Sequence, residues 1–355
     1  MTIHLTPGKR ALNVLVTGSD GYIGAVLCPM LMEAGHEVTG LDTGFYRRGW
    51  LFDDRKARPR TISRDIREVT ADDLSGFDAV IHLSELSNDP LGENDPDLTM
   101  AVNHRGSVAL AMAARTAGVG RFVYASSCSI YGAGGDAWRT EDADTAPQTA
   151  YARCKILVER DVAALRDDRF APVFLRNATA YGASPRQRFD IVLNNLCGLA
   201  HTTGRIAMTS DGSPWRPIVH VEDICRAMIA ALEAEAEAVS GEAFNVGRDD
   251  ANHRIREIAE IVGRVFEGSE VTIGTDGGDT RSYRVSFAKI RDRLPAFRPA
   301  WDAERGALQL REVFRRIGLT QAMFEADPFT RLKELRHLRA TGQIDARLFW
   351  TPLAA

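Results

Sequence analysis

The first half of the chain alternates short apolar runs with apolar stripes at helical spacing. The runs have the length and composition of buried strands, and they are residues 11–18, 37–42, 78–84, 121–127 and 172–178. The predicted helices between them are residues 22–35, 101–117 and 152–166. Apolar strands that alternate with helices are typical of a parallel sheet covered on both faces, so the pattern predicts an α/β fold.

The pattern changes after Tyr181. Residues 181–217 are rich in Gly, Ser, Pro and Arg, which predicts irregular chain around one helix. Beyond them the spacing of apolar residues predicts helices at 220–235 and 254–266 and short strands at 243–247 and 270–273. The charged residues 324–349 are expected to form a terminal helical hairpin.

Composition and charge exclude several classes of protein. The chain has 355 residues, of which 45% are hydrophobic and 26% charged, as in an ordinary globular protein. Its net charge of -4 leads us to expect no nucleic-acid partner, and the polar first ten residues and the absence of a long apolar run lead us to expect no signal peptide and no membrane span. The cysteines are scattered and in no zinc-like spacing, so we expect no metal site and a cytoplasmic protein with reduced thiols.

A glycine turn follows the first predicted strand and opens the first predicted helix. Residues 17–24 read T-G-S-D-G-Y-I-G. Gly18 permits a tight turn, Gly21 lets the backbone approach a pyrophosphate, and Gly24 lets the helix pack close to the strand. Exposed N–H groups and the positive end of the helix dipole then hold phosphates, so the turn predicts a dinucleotide site. The contacts expected from this turn are Gly18, Asp20, Gly21, Tyr22, Ile23 and Gly24.

An acidic residue at the end of the second strand favours NAD over NADP. Asp42 can accept hydrogen bonds from the adenosine ribose, and its charge would repel a 2′-phosphate. Arg47 and Arg48 lie close by in the sequence, and either could pair with such a phosphate instead. The remaining expected cofactor contacts are Asp65 and Ile66, after the third strand, and Leu83, near the end of strand 78–84.

Tyr151 and Lys155 form a Y-x-x-x-K pair at the start of a predicted helix. A spacing of four places both on one helical face, where the ammonium would stabilise a phenolate and lower the pKa of the tyrosine. Such a tyrosine removes a proton from a substrate hydroxyl while hydride leaves for a nicotinamide, and the lysine can also hold the nicotinamide ribose. Ser126 and Ser127 end the preceding strand at the edge of the sheet where ligands bind in doubly wound folds.

Together these segments resemble the extended short-chain dehydrogenase/reductase family, in its nucleotide-sugar epimerase and dehydratase branch. The resemblance covers nearly all of residues 11–300. Besides the glycine turn and Y-A-R-C-K, it rests on Y-A-S-S-C-S-I-Y-G at 124–132, W-R-P-I-V-H-V-E-D-I at 215–224 and A-F-N-V-G at 243–247.

The resemblance implies a fold, a cofactor and a substrate class. The fold is a Rossmann-type doubly wound parallel sheet with a smaller α/β substrate-binding domain. We assign 1–178 plus 219–248 to the NAD-binding domain, and 179–218 plus 249–355 to the substrate-binding domain with a C-terminal helical tail. The implied partners are NAD, a nucleotide-diphosphate sugar and a second copy of the chain in a homodimer.

The resemblance also assigns roles to individual residues. Tyr151 would be the base, Lys155 its partner and Ser127 a hydroxyl donor to the substrate. Arg216 and Arg281 resemble arginines that contact the substrate diphosphate. Thr179 stands where the family often has an asparagine that contacts the substrate phosphate, so either Asn177 takes that role or the substrate lies differently.

The family starts several reactions by oxidising C4 of the sugar with NAD. Its 4,6-dehydratases carry an Asp-Glu pair directly after the catalytic Ser or Thr, whereas this chain has Cys128 and Ser129. A C4 epimerase needs no such pair, so epimerisation is our leading interpretation. The alternatives are a dehydratase that uses the thiol of Cys128 as an acid, a net oxidoreductase and, last, a non-catalytic NAD-sensing protein.

Two further positions are open to interpretation. Glu85 and Asn88 stand where small residues are expected beside the sugar; they either contact an unusual sugar or cap a loop. His82 is expected to be a satisfied histidine at the end of a strand rather than a catalyst.

Overall fold

The structure, a computed structural model, describes residues 10–87, 95–276 and 281–352, apart from the side chains of Thr209 and Asp276. Its strands, in chain order, are β1 (Asn13–Thr17), β2 (Glu37–Asp42), β3 (Arg60–Ser63), β4 (Ala79–His82), β5 (Arg121–Ser127), β6 (Trp138–Arg139), β7 (Ala171–Asn177), β8 (Thr179–Tyr181), β9 (Arg205–Ser210), β10 (Trp215–His220), β11 (Ala243–Val246), β12 (Asn252–Arg254), β13 (Glu270–Asp276) and β14 (Arg284–Val285).

The α-helices are α1 (Gly24–Glu33), α2 (Pro96–Thr99), α3 (Ser107–Thr116), α4 (Ala150–Ala163), α5 (Val192–Thr203), α6 (Val221–Glu233), α7 (Ala236–Val239), α8 (Ile255–Val265), α9 (Ala288–Arg293), α10 (Ala303–Ile317), α11 (Gln321–Glu325) and α12 (Arg331–Ala340). A π-helical segment, Met100–Gly106, leads into α3. Short 3₁₀ turns lie at Ile66–Glu68, Asp72–Leu74, Cys128–Tyr131, Asp249–Ala251 and Asp327–Phe329.

Seven strands form a central sheet in the order β11-β7-β5-β4-β1-β2-β3, and every neighbouring pair is parallel. Because the strands are parallel, the ends of β1, β4, β5 and β7 all reach the same edge. The glycine turn, residues 83–87, Ser127 and Asn177 therefore meet there, as expected for a doubly wound sheet.

Helices cover both faces of this sheet. On one face α1 and α6 pack against side chains of β1, β4, β5 and β7, including Val14, Ile81 and Val123. On the other face α3 and α4 pack against Leu15, Val80 and the neighbouring aromatic positions. Alternate side chains of one strand thus pack into the two cores on opposite faces of the sheet. For this reason the strands are apolar at nearly every position. The predicted fold class is confirmed.

A second apolar core lies outside the sheet. Helices α5, α8 and α10 bury leucine, isoleucine and phenylalanine side chains against one another, with Phe189 and Phe314 among them. Next to it, β8, β10 and β12 form a small sheet, and β9 pairs with β13. The bounds of the two predicted domains stay a prediction.

Several local predictions are wrong. Residues 181–217 contain strands as well as a helix, because β9 pairs with β13 and β10 with β12, partners that lie far along the chain. Helix α10 was not predicted. Residues 324–349 do not form a helical hairpin, since Pro328 lies in a 3₁₀ turn, α12 ends at Ala340, and the chain then turns back through a bridge between Ile344 and Trp350.

Candidate active site

The glycine turn has the geometry that its sequence predicts. Gly18 has a φ of 72° and donates its N–H to the carbonyl of Leu41 at 2.8 Å. A Cβ at Gly24 would collide with the carbonyl oxygen of Gly18, and one at Gly18 would lie 3.0 Å from the carbonyl carbon of Leu83. The turn therefore presents backbone, and not side chains, at this edge of the sheet. A dinucleotide phosphate can approach such a surface closely.

Asp42 lies beside this turn and is almost fully buried. Its Oδ1 accepts the N–H of Gly44 at 2.7 Å, and its Oδ2 accepts the N–H of Asp20 at 3.0 Å. Burial raises the pKa of Asp42, while the two backbone hydrogen bonds oppose that shift. Asp42 lines a cavity next to the glycine turn, as expected. Asp20 does not line that cavity, but its backbone N–H holds the carboxylate of Asp42 in place.

A cavity of about 160 Å³ runs from the glycine turn past Asp42, Asp65, Ile66 and Leu83. Asp65 caps the 3₁₀ turn that follows it and pairs with Arg67 at 2.7 Å, so its carboxylate is already engaged. The structure thus brings the predicted cofactor contacts other than Asp20 and Lys155 to one cavity. We call it the cofactor cavity.

The Y-x-x-x-K pair lies where β5 ends. Helix α4 is capped by Thr149, whose hydroxyl accepts the N–H of Ala152 at 3.2 Å, and Tyr151 follows in its first turn. The ammonium of Lys155 lies 5.2 Å from the centre of the Tyr151 ring and 4.6 Å from that of Tyr124. The ammonium and the phenol are therefore neighbours on one helical face.

Tyr151 and Lys155 line a second cavity of about 460 Å³, which we call the substrate cavity. It also contains the other residues predicted to bind substrate: Ser127, Asn177, Thr179, Arg216 and Arg281. The two cavities share Ile23, Leu83, Glu85, Ser87, Ala180 and Arg188. One continuous cleft therefore leads from the glycine turn to the Tyr151 side chain.

Glu85 is the partner of Lys155. The sequence suggested instead that Glu85 contacts an unusual sugar or caps a loop. The ammonium lies 2.5 Å from Oε2 of Glu85, and the hydroxyl of Tyr124 donates to Oε1 at 2.5 Å. Burial raises the pKa of Glu85, and the charge of Lys155 opposes that shift. Burial lowers the pKa of Lys155, but the charge and hydrogen bond of Glu85 together with Tyr151 raise it above the ordinary value. Asn88 lies outside the described residues.

The far end of the substrate cavity carries two arginines. Arg216, on β10, is 7% exposed, and it donates to the carbonyls of Trp215, at 2.8 Å, and of Arg281.

Asn177, at the end of β7, donates to the carbonyl of Ser126 at 3.3 Å, while its Oδ1 has no partner among the described residues. An unsatisfied buried acceptor that lines a cavity suits a ligand hydroxyl.

Cys128 does not reach the substrate cavity, which corrects its assignment as a catalytic residue. Its thiol is buried in the core beneath the sheet edge and donates to the carbonyl of Arg176 at 3.0 Å. Burial raises its pKa well above the ordinary value. The neighbouring Ser129 lines the cavity instead, and its hydroxyl has no partner in the described part of the chain.

His82 is satisfied, as expected. Its Nδ1 lies 2.7 Å from the hydroxyl of Thr17 and its Nε2 lies 2.8 Å from that of Ser107. Burial lowers its pKa to about 3, so the ring is neutral and bridges β1, β4 and α3.

Two arginines at the site carried no signal in the sequence. Arg188 lines both cavities and pairs with Asp190 at 2.8 Å. Arg331 lines the cofactor cavity from the start of α12. Neither lies in a motif, and their places in the site depend on how distant segments pack.

The model of the NAD dependent epimerase/dehydratase family matches residues 14–247. The chain belongs to this NAD-dependent family. A UDP-glucose 4-epimerase of Corynebacterium glutamicum is 29% identical over 268 residues, which cover 70% of this chain and 79% of that enzyme. A UDP-glucose 4-epimerase of Bacillus subtilis is 24% identical over 334 residues, which cover 83% of this chain and 93% of that enzyme.

Solved structures of the same family have the same fold. MoeE5 in complex with UDP-glucuronic acid and NAD is 26% identical, with a TM-score of 0.74 over 86% of this chain and 99% of MoeE5. DesIV of Streptomyces venezuelae, a dTDP-glucose 4,6-dehydratase with NAD bound, is 25% identical, with a TM-score of 0.76 over 88% of this chain and 100% of DesIV. A solved complex with a UDP-sugar and a solved dehydratase thus share this architecture.

The described residues contain neither a candidate membrane-spanning helix nor a candidate metal-binding cluster. No helix within 10–87, 95–276 or 281–352 has the length and apolar character needed to span a bilayer. The same residues contain no group of three or more His, Cys, Asp or Glu side chains arranged to hold a metal ion.

Proposed function

We propose that this protein is an NAD-dependent nucleotide-sugar 4-epimerase. The observation that carries the proposal is the continuous cleft. The glycine turn lines its cofactor cavity, and Tyr151, Lys155, Arg216 and Arg281 line its substrate cavity. A diphosphate held by the arginines would leave the sugar beside the Tyr151 hydroxyl. The names of the relatives support the same substrate class.

The residues divide the work as follows in our proposal. The glycine turn and Asp42 would hold NAD, which would supply reversible hydride transfer at C4 of the sugar. Tyr151 removes the proton of the C4 hydroxyl and later gives it back, and Lys155 favours the phenolate by its charge. Ser127 donates a hydrogen bond to the same oxygen. Arg216 and Arg281 bind the diphosphate and leave the 4-keto sugar free to rotate.

Epimerisation is favoured because no carboxyl stands directly after Ser127, where the 4,6-dehydratases of the family carry their Asp-Glu pair. The two positions after Ser127 are Cys128 and Ser129, and the thiol is buried away from the cavity. A dehydratase is the second candidate, because Glu85 places one carboxyl in the substrate cavity and burial raises its pKa. Its ion pair with Lys155 argues against that role.

The test is turnover of nucleotide sugars by purified protein without added NAD. Under our proposal UDP-glucose or a related sugar equilibrates with its C4 epimer, seen by NMR, with no change in mass. A product lighter by one water would support the dehydratase, and a product formed only with added NAD would support the oxidoreductase. No turnover of any nucleotide sugar would exclude all three.

Replacing Tyr151 by Phe tests the mechanism. We expect Y151F to lose more than about 100-fold in kcat, as general acid–base groups typically contribute, while it still binds NAD. E260Q, on the exposed side of α8, is the control and should behave as the parent protein. Unchanged turnover in Y151F would refute the mechanism.

We further propose that the protein is a cytoplasmic homodimer that pairs through α3 and α4. These helices pack on one face of the sheet, and Met112 of α3 is 53% exposed there. The proposal rests on the family resemblance, and Met112 is the exposed large apolar residue of α3 that such an interface would bury. Light scattering should give twice the mass of the chain, and M112E should shift the mass towards that of one chain.

A further inference from the structure

The last part of the chain packs over the cofactor cavity. We call residues 319–352 the terminal segment. Its side chains Leu335, Leu338, Ile344 and Leu348 form one apolar cluster with Phe45, Leu86 and Val102, which come from loops and a helix around the cavity. Arg331 and Leu348 themselves line the cavity together with the glycine turn. The terminal segment is therefore part of the cofactor site.

Polar contacts tie this segment to the loops that follow β2 and β3. The indole of Trp350 donates to the carbonyl of Thr43 at 2.7 Å. Arg67 donates to the carbonyl of Arg347 at 2.8 Å, and its guanidinium lies 3.9 Å from the centre of the Phe349 ring. These anchors lie beside Asp42 and Asp65, the residues expected to contact the adenosine.

A carboxylate buried in the segment forms a further anchor. Glu334 is fully buried, and it accepts two hydrogen bonds from Arg48 at 3.0 and 2.9 Å. Arg48 was a candidate for binding a 2′-phosphate, but the structure commits its guanidinium to this contact. The terminal segment is thus held by Arg48 as well as by Arg67.

Arg331 carries a charge that the described residues do not neutralise by direct contact. It is 3% exposed, and its guanidinium has no hydrogen bond to any described residue; it lies 3.8 Å from the centre of the Tyr46 ring. Two carboxylates, Asp190 and Asp42, act on its charge. Asp190 is paired with Arg188 and accepts only the backbone N–H of Arg331, at 3.3 Å, while Asp42 accepts two backbone N–H groups. Arg331 also begins α12, where the helix dipole disfavours a cation. A buried cation in such a place requires an anion.

The anionic part of the cofactor is its diphosphate. Guanidinium groups bind phosphate oxygens with paired, charge-assisted hydrogen bonds. We propose that the terminal segment is a built-in cap on the cofactor site, in which Arg331 binds the diphosphate of NAD so that the cofactor is retained from one turnover to the next. This proposal requires NAD binding but does not depend on which sugar reaction follows.

The test measures NAD retention without any sugar substrate. The variants are R331M, which removes the charge, R331K, which keeps it, and R336M as a control on the exposed face of the same helix. After gel filtration we expect the parent and R336M to keep about one NAD per chain. We expect R331M to lose it, with the Kd for NAD raised at least about 10-fold, and R331K to lie between.

A second comparison identifies the part of the cofactor that Arg331 contacts. R331M should weaken ADP-ribose, which has the diphosphate, by the same factor as NAD, and should leave adenosine unaffected. Equal weakening of adenosine would refute a diphosphate contact and indicate a loss of packing. Retention of NAD by R331M as strong as by R336M would overturn the proposal.

Hydrogen exchange tests the cap itself in the full-length protein. Bound NAD should slow the exchange of backbone amides in residues 319–352, and R331M should remove most of that protection at saturating NAD. Protection that is absent in the parent protein would contradict a cap.

Discussion

Replacing Glu85 by Gln removes the carboxylate that faces the ammonium of Lys155 while keeping the shape of the side chain. The pair is almost fully buried, with 3% and 4% of the two side chains exposed. At about 4 Å between charge centres and an effective dielectric of about 20, their attraction is about 4 kcal/mol. Breaking one side of a buried pair costs about 3–5 kcal/mol, so E85Q should lower the free energy of unfolding by about 3 kcal/mol.

The assay is a double-mutant cycle of E85Q, K155M and the double variant, followed by urea unfolding at pH 7. All forms are stripped of NAD first, because a bound ligand adds its own stability. The double variant should be more stable than the sum of the single effects implies, with a coupling energy of about 3 kcal/mol. E260Q, on the exposed side of α8, should change stability by less than about 0.5 kcal/mol. A coupling energy below about 1 kcal/mol would show that Glu85 does not hold Lys155.

Three further results are expected. C128A should keep kcat within about twofold of the parent, because the thiol lies in the core; a large loss in kcat with intact folding would restore its catalytic role. R216M should raise KM for the nucleotide sugar about 10-fold or more and leave NAD retention unchanged; equal KM values would remove Arg216 from the substrate site. The folded-state pKa of His82 is about 3, below the ordinary value, so its contribution is complete above about pH 6.5 and is lost as pH falls towards 3. H82Q should therefore lose about 2 kcal/mol less stability than the parent between pH 7.5 and pH 5, measured by urea unfolding; an equal loss would contradict the neutral buried ring.

The sequence determined features that depend on neighbouring residues. The glycine turn, the face shared by Tyr151 and Lys155, and strands β2 and β5, whose bounds agree with the prediction, all follow from local steric rules and from apolar periodicity. The order of strands and helices then restricts the fold to a parallel doubly wound sheet, and its edge brings the motif residues together.

Features that join distant segments could be read only from the tertiary structure. Strands β9 and β10 lack a local signal because each pairs with strands distant in the sequence, β9 with β13 and β10 with β8 and β12. The direction of the Cys128 thiol depends on how the 3₁₀ turn packs on β7 and β11. A motif such as Y-x-x-x-K does not show that Glu85 faces its lysine, since that ion pair joins helix α4 to the loop that follows β4.

The terminal segment also shows the difference between what local sequence determines and what tertiary packing decides. Its composition indicated charged helix, and one helix of ten residues is present. Its placement over the cofactor cavity depends on apolar side chains that are buried only when Phe45, Leu86 and Val102 meet them. Sequence periodicity records which face of a segment is apolar, whereas the surface that covers that face is decided by packing across the whole molecule.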